Sequence, residues 1–156
     1  MIVENMKNVL FLIGGYGSFE KELLKKIKNL RNTKFIGRIL PRDVIKLTKI
    51  ADLIHTLFRT DNESMKNSFA SKFLEAIVCE KPIMVFENTL MAYYVKKYNL
   101  GIVIKNIKEL EEGIRKAMLL KKRGFKIPKR VKSMFGWQTM KKNLLKAYYF
   151  TLKRGG

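Results

Sequence analysis

The chain has 156 residues, of which 47% are hydrophobic, so it is long enough for one globular domain with a sizeable core. Its single cysteine, Cys79, excludes an intramolecular disulfide and favours a reducing, cytoplasmic compartment, and no apolar run approaches the roughly 20 residues that a membrane-spanning helix needs. The net charge of +20, from 33 Lys and Arg against 13 Asp and Glu, indicates attraction to polyanions such as nucleic acid, anionic lipid or phosphorylated ligands.

The first part of the chain predicts strands that alternate with helices. Short apolar runs rich in branched and aromatic residues predict three buried strands, at 7–13, 33–37 and 52–58. The first run is followed by a Gly-rich turn and by Ser18, a candidate N-cap for a helix that continues to about Leu30. Pro41 opens the next helix, at a position in the first turn where proline is tolerated.

The second part continues the alternation. The stretch 67–82, NSFASKFLEAIVCEKP, predicts a helix entered from a polar loop, and a strand over 82–86 follows at once. Later elements are a helix over 90–98, a strand over 101–104, a helix over 107–122, a basic stretch and a terminal helix over 137–152. This order predicts βαβ units and a parallel sheet. Because such crossovers are right-handed, we expect residues 1–156 to form one Rossmann-like, doubly wound α/β domain of about five to six strands with helices on both faces.

Two loops at the carboxyl edge of the sheet are candidate ligand sites, since ligands bind at that edge in open α/β sheets. In the first, Gly14, Gly15 and Gly17 let backbone N–H groups approach a phosphate at the N-terminus of the following helix. Arg38 follows the second strand at the same edge. The turn lacks the full dinucleotide fingerprint and the Walker pattern, which argues against an NAD site and against an ATPase.

The second loop leads into the helix of residues 67–82. Ser68 and Ser71 are candidate caps for that helix, and Lys72 adds a cation, so its N-terminus favours a phosphate. Glu75 lies one turn further, at a distance suited to two sugar hydroxyls. The alternative for Glu75 is a solvated carboxylate on a helix surface, but the residues around it are mostly apolar, and a carboxylate in such surroundings needs partners.

Other catalytic chemistry has little support in the sequence. His55 is the only histidine and lies on an apolar strand, which favours a core residue over a catalytic base. One His, one Cys and no spaced acidic cluster do not make a metal-ligand set, so no metal site is expected. A serine-hydrolase triad and a pair of catalytic carboxylates are also not apparent.

The motifs and their order resemble the C-terminal, nucleotide-sugar-binding domain of GT-B glycosyltransferases, in the retaining group called glycosyltransferase family four or glycosyl transferases group one. VLFLIGGYGSFEKEL is similar to that family's strand and Gly-rich turn, TKFIGRI to its next strand, and ADLIHTLF to the strand before the donor loop. SKFLEAIVCEKPIMV resembles the family's most specific segment, Leu-Glu-Ala-Met-Ala-x-Gly-Lys-Pro-Val, and FGWQTMKKNLLKAYY resembles its terminal helix.

The resemblance implies roles for particular residues. The family's two glutamates are separated by seven residues; Glu75 matches the second, which binds the donor ribose, and Asn67 stands at the first, which lies near the sugar. An amide there can hydrogen-bond a hydroxyl but cannot carry charge. The resemblance further implies a hexosyltransferase that is retaining, metal-independent and free of cofactors, with a UDP- or GDP-linked sugar as its substrate.

The family's C-terminal domain usually begins one strand earlier and works with an N-terminal acceptor domain, toward which the helix 136–152 would pack. We therefore expect a chain that is incomplete and inactive by itself: a fragment, one subunit of a split enzyme, or a degenerate homologue.

The basic stretch with Phe125 and Trp137, and the aromatic tail 148–150, could instead rest on an anionic membrane surface, as in a peripheral protein. The rival functions are a non-catalytic polyanion- or RNA-binding module, which no RNA-recognition motif supports, and a scaffold subunit.

Overall fold

The computed structural model describes residues 6–58 and 61–154. Its strands are β1 (Phe11–Ile13), β2 (Thr33–Phe35), β3 (Ile54–Thr56), β4 (Ile83–Phe86) and β5 (Gly101–Ile104). Its helices are α1 (Glu20–Ile27), α2 (Pro41–Ile50), α3 (Glu63–Lys66), α4 (Ser71–Val78), α5 (Leu90–Tyr98), α6 (Leu110–Lys122), α7 (Lys129–Met134) and α8 (Trp137–Arg154), and a 3₁₀ turn, Ile107–Glu109, precedes α6. The predicted alternation of strands and helices is therefore confirmed.

All strand pairs in the described residues are parallel, as expected of a Rossmann-like α/β domain. They form two hydrogen-bonded sheets, β1 with β2 and β3-β4-β5, so the prediction of one continuous sheet is wrong in that respect. The sheets meet through side chains: the rings of Phe11 on β1 and His55 on β3 have their centroids 5.4 Å apart. The gap lies where the strand order changes direction, which is the place where open α/β sheets bind ligands.

Strand β4 is the centre of the core, with Ile83, Met84 and Val85 all fully buried. Ile83 and Val85 belong to the cluster that packs under α4 and α5, which also includes Phe73 of α4. Met84 points to the opposite face and packs against α6. Alternate residues of a strand face opposite sides, so the apolar run predicts coverage on both faces, and helices on both faces are what the structure has.

The ends of several elements differ from the predictions. The N-cap of helix α1 is Phe19 rather than the predicted Ser18, and the Phe19 side chain makes no capping hydrogen bond. The helix ends at Ile27, whereas the sequence predicted an end at about Leu30. The predicted polar loop before α4 contains α3, because the Asn62 Oδ1 accepts a hydrogen bond of 3.1 Å from the Met65 N–H and so caps a short helix. The basic stretch likewise contains α7. Pro41 does lie in the first turn of α2, as predicted.

Candidate functional site

A cavity of about 410 Å³ lies at the carboxyl end of β3. It is lined from the end of β3 by His55, Thr56, Leu57 and Phe58, and from the start of α4 by Ala70, Ser71 and Lys72. We call it the β3–α4 cavity. It occupies the sheet edge at which the sequence places the second ligand loop, and it includes Ser71 and Lys72 of the predicted site residues.

The start of α4 opens on this cavity without a side-chain cap. Its N-cap is Ala70, so the prediction that Ser68 or Ser71 caps the helix is wrong. The Ser68 hydroxyl instead donates to the Met65 carbonyl at 3.1 Å, and Ser71 is already the first helical residue. Since the first N–H groups of a helix have no acceptor within it, those of Ser71 and Lys72 present the positive end of the α4 dipole to the cavity. This arrangement favours an anion.

His55 forms part of the cavity wall, which the sequence analysis missed. Its ring packs against Phe11, as expected of a core histidine, but it also lines the cavity from β3. Burial, and to a smaller extent the positive charge of Lys72, lower the pKa of the imidazole below its ordinary value. The neutral ring offers one donor and one acceptor. The feature of the sequence that could have placed His55 in the site is its position near the carboxyl end of β3.

Glu75 lies one turn along α4 and is half-buried. Within residues 6–58 and 61–154, its carboxylate makes neither a hydrogen bond nor an ion pair, and Glu75 does not line the β3–α4 cavity. The expectation that the mostly apolar residues around Glu75 are buried holds in part: Phe73 and Ile77 are buried, but Val78 is 67% exposed. The carboxylate is therefore able to accept hydroxyl donors from a ligand.

The Gly-rich turn after β1 and the turn after β2 lie together. The Gly15 N–H donates to the Gly37 carbonyl at 2.9 Å, and the Arg38 guanidinium lies 4.6 Å from the centroid of the Tyr16 ring. A Cβ on Gly14 would come within 2.0 Å of the Ile39 Cδ1, so Gly14 allows close packing of the two turns. Apart from its two chain neighbours, no residue that the structure describes has an atom within 4 Å of a Cβ built on Gly17, so that position is open.

Asn67 closes the short helix α3. Its Nδ2 donates to the Glu63 carbonyl at 3.1 Å, and its backbone N–H donates to the same carbonyl at 3.2 Å. The side chain is exposed and precedes the start of α4 by four residues. The amide at this position therefore supports the conformation of the loop that enters the site, and its Oδ1 can accept a further hydrogen bond.

Across 6–58 and 61–154, no group of three or more His, Cys, Asp or Glu side chains is arranged to hold a metal ion. No helix in those ranges combines the length and the apolar character that crossing a bilayer requires.

The sequence family described as Glycosyl transferases group 1 matches residues 1–133. The match includes all five strands, both candidate loops and the β3–α4 cavity, and it ends before α8. No curated protein matches the sequence. Because the family matches most of the chain, the resemblance noted in the sequence is confirmed for group 1, and the two turns at the carboxyl edge belong to the matched part. The chain therefore belongs to the group 1 glycosyltransferases, a family of enzymes that transfer sugars.

Proposed function

We propose that this chain binds a nucleoside-diphosphate sugar, the donor in sugar transfer, with the diphosphate at the start of α4. The observation that carries the proposal is the uncapped N-terminus of α4, which opens beside Lys72 onto a cavity of about 410 Å³. A helix N-terminus and an adjacent cation both favour a phosphate group. The lowered pKa of His55 keeps a second positive charge out of the wall, so that this side chain recognises the donor by hydrogen bonding.

Glu75 supplies the second part of the proposed site. Its carboxylate is half-buried and makes no hydrogen bond or ion pair within the described ranges, and it lies one turn from Ser71. Two ribose hydroxyls would satisfy its oxygens. The paired turns at Gly15 and Arg38 offer backbone N–H groups and a guanidinium for the remainder of the donor.

The same groups would act in the reaction. Negative charge develops on the departing diphosphate in the transition state, where oriented N–H groups and a fixed cation stabilise it most. In this proposal α4 and Lys72 provide that stabilisation. We take independence of metal ions and cofactors, retention of configuration, hexosyl transfer and a UDP- or GDP-linked donor from the family resemblance. The acceptor would be bound by another domain or subunit, so we expect this chain alone to bind the donor without transferring the sugar.

Thermal unfolding with UDP, GDP, UDP-glucose and GDP-mannose tests the proposal. At about 100 times its dissociation constant, a ligand adds roughly 2.7 kcal/mol to the free energy of unfolding and raises the midpoint by about 5 °C or more. We expect one nucleotide series to give this shift with the wild-type chain. Glu75→Ala should abolish most of it, whereas Glu111→Ala, which removes an exposed carboxylate paired with Arg115, should leave it unchanged.

Two results would contradict donor binding. One is the absence of any midpoint shift at millimolar nucleotide. The other is an equal shift in the Glu75→Ala and Glu111→Ala variants, which would place the nucleotide elsewhere. The rival polyanion-binding function predicts a different pattern, namely RNA binding that falls steeply with salt and does not respond to free nucleotide.

A further inference from the structure

Strand β5 is hydrogen-bonded on one side only. The Leu100 and Ile104 carbonyls accept hydrogen bonds of 3.0 and 2.9 Å from N–H groups on the β4 side. Because hydrogen bonding alternates along a strand, Val103 directs its backbone groups away from β4. Among the described residues, the Val103 N–H and C=O have no hydrogen-bond partner, and no strand pairs with β5 on that side. Such an unpaired edge is a template for another strand.

A cavity of about 390 Å³ lies along this edge, and we call it the β5–α6 cavity. Its lining comprises the strand with the residue after it, and the facing side of the start of α6: Ile102, Val103, Ile104, Lys105, Glu109, Glu112, Gly113 and Lys116. A Cβ on Gly113 would lie 2.9 Å from the Met84 Sδ and from the Ile104 Cγ2. Gly113 thus lets α6 lie directly against the face of the sheet, and the space beside the edge of β5 remains.

The charges around the β5–α6 cavity are balanced, unlike those of the whole chain, whose net charge is +20. Glu112 and Lys116 form a salt bridge of 3.5 Å on α6. Glu109 lines the cavity as well, and its Oε2 accepts a hydrogen bond of 2.9 Å from the Lys105 N–H. Two carboxylates therefore lie beside two ammonium groups. A second molecule of the same net charge meets less repulsion here than at a surface that carries only cations.

We propose that two copies of this chain associate through β5, with the two β5 strands antiparallel and hydrogen-bonded at Val103. The two-fold axis passes between the strands, so that Val103 of each copy donates to and accepts from Val103 of the other. The two β3–β4–β5 sheets then continue into one. The side chains of Ile102 and Ile104 point to the α6 face, because successive side chains alternate, and they enter the β5–α6 cavity of the other copy.

A two-fold interface requires a surface that is complementary to itself, and the charges beside β5 meet this requirement. Glu109 bonds Lys105 at the end of β5, and α6 packs back along the strand from there. Lys116 therefore lies nearer the start of β5 than Glu109 and Glu112 do. Rotation about the two-fold axis brings Lys116 of each copy toward the two carboxylates of the other, so the same charge pairing forms twice.

A nucleic acid or an anionic bilayer fits this edge less well, because Glu109 and Glu112 would face its phosphates. A second copy satisfies both the unpaired backbone of Val103 and the charges. The proposal goes beyond donor binding. Strands β3 and β5 are the opposite edges of their sheet, so the association leaves the β3–α4 cavity free, and its test requires no nucleotide.

Sedimentation equilibrium of the full chain over a series of concentrations measures the dissociation constant of the dimer. We expect tighter association at about 0.3 M than at about 0.05 M salt, because salt screens the repulsion between two chains of net charge +20. Lys116→Glu should raise the dissociation constant at least about tenfold, since it places like charges across the interface. Arg115→Glu makes the same change of charge at the next position of α6, outside the cavity, and should stay within about twofold of wild type. Glu112→Lys/Lys116→Glu should restore the association.

Val103 tests the backbone pairing. Val103→Pro removes the outward N–H without removing a bond to β4, and it should abolish the dimer. Val103→Thr keeps the N–H and the branched shape, and it should dimerise as the wild type does. Circular dichroism and thermal unfolding show whether each variant is folded, and if Val103→Pro does not fold, the Lys116 and Arg115 variants decide.

Three results would overturn the proposal. In the first, the chain stays monomeric at every concentration and salt, which would leave the β5 edge to a strand of another protein. In the second, Lys116→Glu and Arg115→Glu change the dissociation constant equally. In the third, a folded Val103→Pro variant dimerises as well as Val103→Thr.

Discussion

The ring of Phe69 packs edge-on against the ring of Phe135, with centroids 5.6 Å apart and an interplanar angle of 74°. Phe69 lies in the loop just before α4, and Phe135 directly follows α7. The contact therefore joins the loop that enters the β3–α4 cavity to the C-terminal part of the chain. Phe73 and Tyr94 complete the aromatic cluster, with ring centroids 5.1 and 5.2 Å from that of Phe69.

Removal of one ring should show how far the cluster supports the site. Phe135→Ala should lower the free energy of unfolding by about 3 kcal/mol, because it removes a large ring that three other rings contact. Urea denaturation measures this change, and hydrogen exchange should become faster at the Phe73 N–H, which donates to the Ala70 carbonyl at 2.9 Å. Tyr149→Ala, which removes an exposed ring of α8, should stay within about 0.5 kcal/mol of wild type. Equal changes in the free energy of unfolding for the two substitutions would contradict the prediction that the aromatic cluster stabilises the loop that enters the β3–α4 cavity.

Gly101 has no room for a side chain. Its φ is +153°, and an added Cβ would lie 2.0 Å from the Ile83 carbonyl oxygen of the adjacent strand. Since neither backbone can yield without breaking the β4–β5 ladder, Gly101→Ala should destabilise the protein by about 3 kcal/mol. Gly17→Ala places the same methyl group in open space and should change the stability by less than about 0.5 kcal/mol. Thermal unfolding of the two variants checks the contrast. A Gly101→Ala variant that loses no more stability than Gly17→Ala would contradict the prediction.

His55 should make stability depend on pH. Burial, chiefly, and Lys72 lower the pKa of its imidazole in the folded protein below the ordinary value of 6.5, so the unfolded chain takes up a proton at a higher pH than the folded protein does. The unfolded state therefore binds more protons between the two pKa values, and stability falls as the pH drops from about 6.5 toward the folded pKa. Above about 6.5 the imidazole is neutral in both states, and its contribution to the stability is constant.

His55→Asn should flatten the pH dependence in this window, because the amide does not titrate. Urea denaturation at about pH 5 and about pH 8 gives the comparison, expressed as the difference in the free energy of unfolding between the two pH values. The carboxylates titrate in both the wild type and His55→Asn, so their contribution to the pH dependence cancels when the two proteins are compared. An unchanged pH dependence in His55→Asn would show that the imidazole is equally easy to protonate in the folded and unfolded states.

Thr89 caps α5 on the buried side of the domain. Its Oγ1 accepts from the Ala92 N–H at 3.1 Å, and its hydroxyl donates to the Phe86 carbonyl at 2.9 Å. Thr89→Ala should cost about 1 to 2 kcal/mol of stability, and Thr89→Ser should restore most of it. The matched control is Thr151→Ala, because the Thr151 hydroxyl donates to the Ala147 carbonyl on exposed α8. Thr151→Ala should change the free energy of unfolding by less than about 0.5 kcal/mol. A loss of stability in Thr151→Ala larger than that in Thr89→Ala would contradict the prediction.

Much of the fold and part of the site could be predicted from the chain. Apolar runs and helical periodicity located all five strands, and the placement of strands before Gly-rich or polar turns identified the two loops that lie at the carboxyl edge. The turns at Gly15 and Arg38 do come together, and Ser71 and Lys72 do line a cavity. The position of Glu75 on α4 also followed from local pattern, although its ribose-binding role stays a prediction.

Other features were missed for identifiable reasons. Ser68 and Ser71 have the composition of helix caps, but the backbone path makes Ala70 the N-cap, and local sequence does not specify that path. The short helices α3 and α7 lie in polar and basic segments that carry little apolar periodicity. The role of His55 in the cavity wall was hidden because its strand is apolar.

The sequence by itself determined the class of the domain, because strand and helix periodicities and the motif around Glu75 are local properties of the chain. Only the tertiary structure decided which groups share a site and which surfaces remain uncovered. The separation of β1–β2 from β3–β4–β5, the cavity between His55 and Lys72, and the exposure of the large apolar side chains of α8 all depend on distances between residues far apart in sequence. Such distances are fixed when the elements pack together, and local periodicity carries no information about them.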